Sequence, residues 1–267
     1  MTSLISSRKN SRFKTKNMSL RHYLEYAGLR GFIGLIDRMS PRASIKLSST
    51  LADMFYALNA GRRNTAIDNI LKSGITEKQE SAARIARESF RNFAIMIVES
   101  LKSHTAFNAD NWREKLEVNI PEKTMSLLND PAQGVILVSG HFGNWEIAAQ
   151  LMSYLKPVVG VTRKMNNPYT DKLMNERKPR NRFRLTPKRD ADSTRFLNIL
   201  KKGEMLALMI DQHARDHNIP IDFFGRPAQT YTTPAMLHLV TKTPICFGYC
   251  LRTGPMSYTL NASEPVT

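Results

Sequence analysis

The amino-acid sequence predicts an α/β protein in which a largely parallel sheet is flanked by helices. Short apolar runs, rich in β-branched residues, lie at 134–139, 157–163 and 203–210, and such runs are typical of strands covered on both faces. Helical candidates lie between them, and strands that alternate with helices indicate crossover connections and a parallel sheet. A long segment with mostly helical signals precedes the first of these strands, which predicts a helical N-terminal layer.

The N-terminal half contributes an arm and this helical layer. Residues 1–18 are rich in basic side chains and predict a disordered basic arm, whereas helix signals dominate from 19 to 128. The Ser-Pro pair at 40–41 opens a helix expected to end near residue 58, because proline is favoured at the first helical position. The segment 77–102 carries apolar residues at helical spacing, and more of them lie in its C-terminal half. That end is therefore expected to pack against another layer.

The segment 129–267 is predicted to be the α/β catalytic domain, with a loose boundary near residue 128. Helices are expected at 144–155, 168–178, 190–202 and 233–242. A fourth strand is expected at 244–252, with a candidate hairpin partner at 256–262. The sequence ends shortly after this partner strand, and both a natural and a truncated C-terminus are consistent with that ending.

The charge balance indicates a polyanionic partner. The chain has 39 Lys and Arg against 23 Asp and Glu, a formal net charge of +16, and residues 156–202 alone hold 14 basic against 4 acidic side chains. Nucleic acid or an anionic membrane surface with phosphorylated head groups would suit this charge. No recognised nucleic-acid motif accompanies the basic run, which favours a lipid partner and predicts no nucleic-acid binding. A solvated basic face is the alternative.

Cysteine usage and hydropathy predict a cytoplasmic protein. Cys246 and Cys250 lie in an apolar segment without a cluster of other metal-binding side chains. We therefore expect buried thiols in a reducing compartment, and we do not expect a metal site. There is no signal peptide, and no run reaches the roughly 18 consecutive apolar residues of a confident membrane span. The segment 24–39 follows a basic run and is interrupted by charges. It fits either a helix lying on an anionic leaflet or a core helix.

The stretch "SGHFGNWE" carries the most informative pattern. His141 follows a predicted strand, and functional groups gather at the carboxyl ends of strands in open α/β sheets. Gly140 and Gly143 allow a sharp turn, and Asn144 is a favourable N-cap. His141 and Glu146 can approach each other only if the first lies in this turn and the second in the first helical turn.

Such a pair suits general-base chemistry. A carboxylate that accepts a hydrogen bond from one imidazole nitrogen fixes the tautomer, and the other nitrogen can then take a proton from a hydroxyl. No nucleophile elbow is present, so the predicted reaction is direct attack by an activated substrate hydroxyl. The glycine spacing does not match a dinucleotide fingerprint, and a phosphate loop is absent. A purely structural histidine is the alternative.

This block resembles the H-x-x-x-x-E block of the lysophospholipid acyltransferase superfamily. Its amino-acid sequence is most similar to the form found in the branch of late lipid A acyltransferases. Three further stretches resemble blocks of that branch in the expected order, over roughly 20–255: "VTRKMNNP", "ALMIDQHA" and "IDFFGRPAQTYTTPAML". The resemblance implies a glycerol-3-phosphate acyltransferase-like fold.

The resemblance also implies a reaction. His141 would be the general base and Glu146 its orienting carboxylate, in the transfer of a fatty acyl chain from acyl carrier protein to a hydroxyl of a lipid A precursor. No metal or redox cofactor is implied. The expected partners are acyl carrier protein, an anionic glycolipid and the membrane surface. The enzyme would lie peripherally, or shallowly anchored, on the cytoplasmic face of a bacterial inner membrane.

A substrate-binding set follows from the same resemblance. Arg163 would bind substrate phosphate or stabilise the developing oxyanion, and Asp211 would contact the acceptor or hold Arg163. An aromatic turn that contains Phe223 and Phe224 would line the acyl channel. The full predicted set is Arg163, Asp211, Asn144, Arg177, Phe223 and Phe224.

The chain departs from the family pattern at two places. After Arg177, Pro179, Arg180 and Asn181 stand where an Arg-x-x-Gly type block is more usual, and the basic, aromatic tail helix of the family does not follow the last strand. Two alternatives to the lipid A reaction stay open. One is O-acylation of another acceptor (a glycerolipid, or a mannosylated or amino-acid lipid), and the other is a non-catalytic basic protein that binds membranes or nucleic acid.

Overall fold

The computed structural model describes residues 19–177, 182–188, 192–215 and 218–267. The predicted basic arm and the departure at Pro179–Asn181 lie outside these residues. The nine described strands are β1 (Leu116–Asn119), β2 (Val135–Ser139), β3 (Val158–Thr162), β4 (Phe183–Pro187), β5 (Met205–Met209), β6 (Asn218–Phe223), β7 (Arg226–Tyr231), β8 (Ile245–Gly254) and β9 (Ser257–Ala262).

Helices cover both faces of the sheet. Within the described ranges they are α1 (Leu20–Arg38), α2 (Pro41–Leu58), α3 (Ala60–Lys72), α4 (Gln79–Ala106), α5 (Glu122–Asn129), α6 (Trp145–Leu155), α7 (Pro168–Glu176), α8 (Ser193–Lys201) and α9 (Thr233–Thr241). A short 3₁₀ turn, Trp112–Lys115, leads into β1.

The main sheet has seven strands in the order β1-β9-β8-β2-β5-β3-β4. All neighbouring pairs are parallel except the β8–β9 hairpin. The predicted α/β class and the expected strands are therefore confirmed. The sequence interpretation missed the edge strands, because β1 has only four residues and β4 carries a basic side chain and a proline. β1 precedes residue 128 and still belongs to the sheet, so that boundary does not separate helices from strands.

Each face of the sheet has its own apolar core. On one face α6 packs against β2, β3 and β8, and the fully buried residues there include Ile147 and Leu151. On the other face α8 and α9 cover β2, β3 and β5, and Phe196, Ile199 and Leu237 pack between them. Burial on both faces explains why the central strands are apolar without alternation.

The N-terminal helices pack on α4. The C-terminal half of α4 holds most of its buried residues and contacts α6, as the crowding of apolar residues there predicts. α2 and α3 lie against α4, whereas α1 lies between α4 and α7. The buried Lys102 of α4 donates from Nζ to the carbonyl oxygens of Ile36 and Met39, both at 2.8 Å, and so satisfies the C-terminal end of α1. Among the described helices, none combines the length and the apolar character that crossing a membrane requires.

Both cysteines are buried and form no disulfide. Burial raises the pKa of the Cys250 thiol to about 12, so this thiol is protonated and unreactive at neutral pH. This agrees with the expectation of buried thiols.

Candidate active site

The turn after β2 presents His141 at the carboxyl edge of the sheet. Gly143 has a φ of +61°, and a Cβ atom there would lie 2.1 Å from the carbonyl oxygen of Cys250, so only glycine fits. The same carbonyl accepts a hydrogen bond from the Asn144 amide at 2.9 Å. The turn is therefore held against β8 before α6 begins at Trp145.

His141 is bound by Asp211. The Nδ1 atom of His141 lies 2.8 Å from Oδ1 of Asp211, and the backbone amide of His141 donates to Oδ2 at 2.5 Å. β2 and β5 are parallel neighbours in which Ser139 pairs with Met209, so each strand places its next residues at the same edge. An ionised carboxylate can only accept hydrogen bonds, which assigns the ring proton to Nδ1 and leaves Nε2 as the basic nitrogen.

This arrangement differs from the sequence interpretation. Glu146 was expected to orient the imidazole, but the carboxylate at Nδ1 is Asp211, which was expected to contact the acceptor or hold Arg163. Glu146 lies in the first turn of α6, as predicted, and lines a cavity beside the histidine. Asp211 was recognised as a strand-end residue. Its partner depends on which strands are neighbours, and spacing along the chain does not show that.

The cavity has a volume of about 680 Å³ and lies between α4, α6, α7 and the carboxyl ends of β3 and β4. Trp145 connects it to the histidine, because its ring lies 5.1 Å from that of His141 in an edge-to-face arrangement. The wall is mixed. Its apolar residues include Met96, Ile97, Leu101, Met174, Phe183 and Leu185, and its charged residues include Glu146, Arg163, Lys164, Asp171, Arg177 and Arg184.

The cationic residues of the cavity wall differ in exposure and in their hydrogen bonds. Arg163 directly follows β3 and is exposed, which suits the predicted contact with an anionic substrate group. Arg177 instead donates from Nη2 to Asp37 Oδ1 at 2.7 Å and to the Leu101 carbonyl oxygen at 3.0 Å. Its side chain is 16% exposed. Arg177 thus holds α7 to α1 and α4 while it also lines the cavity, and its role as a substrate ligand stays a prediction.

Asn144 is confirmed as the N-cap of α6 but is buried. Its Oδ1 accepts a hydrogen bond from the Ile147 amide at 3.1 Å and one from the Ser100 hydroxyl at 3.4 Å. Only 2% of Asn144 is exposed. Asn144 therefore ties the turn after β2 to α4, and its contact with substrate stays a prediction.

Phe223 and Phe224 lie at the tip of the β6–β7 hairpin. Their side chains are exposed, and neither belongs to the residues that line the cavity. They do not line this cavity, and the prediction that they line an acyl channel stays a prediction. The sequence interpretation did not recognise the hairpin, since β6 contains Pro220 and lacks the apolar character of a covered strand.

A buried acid of α4 was missed by the sequence interpretation. Glu99 of α4 is 1% exposed. It accepts hydrogen bonds from the Tyr258 hydroxyl at 2.8 Å and from the Met256 amide at 3.2 Å. Burial raises the pKa of Glu99, although these two hydrogen bonds oppose the shift, and the pKa of Tyr258 is raised as well. A lone glutamate within the apolar end of α4 was the available signal.

The fold and this edge together define a class of protein: an α/β protein with an oriented imidazole beside a partly apolar cavity, suited to transferring a group to a hydroxyl. The sequence model of the bacterial lipid A biosynthesis acyltransferase family matches residues 10–266. The chain belongs to this family and is an acyltransferase by that membership.

The solved structure of the 1-acyl-sn-glycerophosphate (LPA) acyltransferase PlsC from Thermotoga maritima is similar to this chain at 10% sequence identity and a TM-score of 0.35. The match covers 83% of this chain and 87% of that one. No curated protein matches the sequence significantly.

Proposed function

We propose that the protein transfers a fatty acyl chain from acyl carrier protein to a hydroxyl of a lipid A precursor at the cytoplasmic face of the inner membrane. The observation that carries this proposal is the His141–Asp211 pair beside the cavity. The carboxylate holds the ring proton on Nδ1, so Nε2 is the atom that can take a proton from a substrate hydroxyl.

The proposed reaction needs one base and no covalent enzyme intermediate. Nε2 of His141 removes the proton as the hydroxyl oxygen attacks the thioester carbonyl carbon. The carbon–sulfur bond then breaks, and the imidazolium returns its proton to the departing phosphopantetheine thiolate. Asp211 stabilises the imidazolium between these two steps. The products are the acyl ester and the free thiol of the carrier protein.

The cavity supports the choice of substrates. Its apolar wall suits an acyl chain, and Arg163 and Lys164 on the same wall suit binding of an anionic group or stabilisation of the developing oxyanion. The formal net charge of +16 suits both an acidic carrier protein and a phosphorylated glycolipid. Glu146 shares this wall, and we assign it a role in substrate positioning that is tested separately from that of Asp211.

The test is an acyl transfer assay. Acyl carrier protein loaded with fatty acids of several lengths is mixed with a tetra-acylated lipid A precursor, and the products are read by mass spectrometry. We expect added acyl mass with the unaltered chain and none with His141→Ala. His22→Ala, which removes an imidazole outside the site, is the matched control and keeps its activity.

Three results would contradict the proposal. If His141→Ala turned over substrate as fast as the unaltered chain, His141 would not be the general base. Activity with acyl coenzyme A and none with the carrier protein would overturn the donor. A folded, active protein that acylates only a lysophospholipid, or another lipid offered in parallel, would overturn the acceptor.

A further inference from the structure

The β6–β7 hairpin is a projecting ribbon with an apolar tip. In the described part of the chain it forms its own two-stranded sheet, and every residue of β6 from 219 to 223 is exposed. Ile219, Ile221 and Phe223 alternate along β6, so they share one face of the ribbon, at exposures of 50%, 46% and 63%. Phe224 follows at the tip and is 54% exposed.

The turn at the tip is unfavourable for the residue that occupies it. Phe223 pairs with Arg226, and the two residues between them, Phe224 and Gly225, have φ values of +54° and +68°. Two-residue turns of this kind favour Asn-Gly, whereas a bulky residue at positive φ is rare. The ring of Phe224 lies 4.7 Å from that of Phe223, edge to face. Hairpin stability does not explain a phenylalanine here, which indicates a binding partner outside the protein.

The hairpin rises from the same edge of the sheet as the candidate active site. It begins at Asn218, soon after Asp211 in the sequence, and a hydrogen bond from the Ala214 backbone amide to the Gln229 carbonyl oxygen at 2.9 Å holds it. The N-terminal end of α1 also reaches this edge. Asn167, just before α7, donates from Nδ2 to the His22 carbonyl oxygen at 2.8 Å.

Exposed apolar side chains of α1 therefore lie at this edge too. Leu20 and Leu24 are 74% and 61% exposed. Two apolar projections, one from the hairpin and one from α1, consequently accompany the carboxyl ends of the strands where His141 lies.

Cationic groups accompany the apolar tip. Arg226 stands across from Phe223, Arg215 precedes the hairpin, and the Nζ atom of Lys188 lies 5.6 Å from the centre of the Tyr231 ring at the base of β7. Aromatic side chains with basic residues behind them match the layers of an anionic bilayer, with acyl chains inside and phosphates above. A stable protein interface needs about 800 Å² on each partner, and a tip of two phenylalanines offers much less.

We propose that the β6–β7 hairpin inserts Phe223 and Phe224 into an anionic lipid bilayer and so holds the edge that carries His141 against the membrane surface. This inference deepens the proposed function, on which it rests for the identity of the membrane, and membrane binding itself is measured without any acyl donor or acceptor.

The experiment is vesicle flotation with the chain as it stands. Vesicles of phosphatidylethanolamine with phosphatidylglycerol are compared with vesicles of phosphatidylcholine alone. The test variant is Phe223→Ser combined with Phe224→Asn, in which the asparagine suits the turn and keeps the hairpin folded. The matched control is Val266→Ser. Val266 is 60% exposed and pairs with Ile245, at the amino end of the parallel strand β8 and so at the opposite edge.

We expect the unaltered chain and Val266→Ser to float with the anionic vesicles. The hairpin variant should lose about tenfold or more of its partitioning, as expected when an apolar side chain no longer enters the bilayer. Its thermal unfolding midpoint should be unchanged or higher. A second variant, Phe224→Trp, should show a blue-shifted emission that bromine-labelled acyl chains quench.

Several outcomes would overturn the inference. Unchanged flotation of the hairpin variant would place membrane contact elsewhere, such as on α1. An equal loss in Val266→Ser would mean non-specific adsorption. Binding only to phosphatidylcholine would exclude the anionic surface. An inactive chain that still needs its hairpin for flotation would contradict the proposed function alone, and an active chain that floats without its hairpin would contradict this inference alone.

Discussion

Two carboxylates near the turn after β2, Asp211 and Glu99, have different surroundings. Asp211 lies at the open edge of the sheet with 36% of its side chain exposed, and it holds an imidazole. Glu99 is enclosed between α4 and β9, with a tyrosine hydroxyl and a backbone amide as partners. The exposed carboxylate can interact with a group that gains and loses a proton, whereas the buried acid is suited to join two layers.

The two regions meet at Asn144. Ser100, which follows Glu99, donates to Asn144, and Asn144 caps the helix that starts just after His141. The comparison predicts that changes at Asp211 affect catalysis with little effect on stability. Changes at Glu99 should affect stability first.

The largest expected effect is that of Asp211→Asn on turnover. The amide can donate as well as accept, so Nδ1 is no longer the assured site of the ring proton, and we expect kcat to fall on the order of 10²-fold or more. The midpoint of thermal unfolding should move little. Steady-state acyl transfer and differential scanning calorimetry are the measurements.

Glu146→Gln is the matched partner of that substitution. Because Glu146 lines the cavity and is not the carboxylate at Nδ1, we expect a higher KM with a smaller loss in kcat. If Glu146→Gln lowered kcat more than Asp211→Asn did, Glu146 would be the residue that orients His141, and the role given to Asp211 would be wrong.

Gly143→Ala should damage both regions. Its Cβ atom would overlap the Cys250 carbonyl oxygen at a positive φ, so the turn must move away from β8. We expect a loss of stability of about 1–3 kcal/mol in urea unfolding and a marked fall in activity. Gly225→Ala, at a positive φ with open space around it, is the control. It should cost stability without displacing His141.

Glu99→Ala should act on stability. It leaves the Tyr258 hydroxyl and the Met256 amide buried without their acceptor, at a cost of about 1–3 kcal/mol for each group. Tyr258→Phe removes one donor and keeps the other, so its loss of unfolding free energy should be smaller. If Glu99→Ala left the unfolding free energy unchanged and reduced only kcat, the division between the two regions would be wrong.

The smallest expected effect is a change in pH dependence. The pKa of Glu99 is raised in the folded state, so its contribution to stability is present below the unfolded-state pKa and is lost as pH rises through the folded-state pKa. Glu99→Gln should flatten that loss between acidic and neutral pH. Urea unfolding at a series of pH values is the measurement.

Asp53 should affect the pH dependence of stability in the opposite direction to Glu99. Hydrogen bonds from Arg91 and Arg87 hold its pKa below the usual range, so its contribution is present above the unfolded-state pKa and lost as pH falls. Asp53→Asn should therefore reduce the loss of unfolding free energy that occurs as the pH falls into the acidic range. If both variants changed the pH dependence of the unfolding free energy in the same direction, the raised pKa of Glu99 would be contradicted.

Much of the fold could be predicted because its signals are local. The helix of Pro41–Leu58 begins at a proline with a serine cap, and the central strands are apolar because both of their faces are covered. The edge strand β4 and the hairpin β6–β7 could not be recognised in this way. Their residues are only partly covered by neighbouring layers, so polar and apolar positions mix.

At the site, the sequence by itself determined where His141, Asn144 and Glu146 stand, because glycines and a helix cap within one short block dictate a turn followed by a helix. It also placed Asp211 and Arg163 after strands. Only the tertiary structure decided which carboxylate reaches the imidazole, because that depends on β2 and β5 being neighbours in register. It likewise decided that Arg177 binds Asp37, 140 residues away along the chain, and that Phe223 and Phe224 project from the surface. Spacing specifies neighbours within an element, and pairing between distant elements arises only when the layers pack.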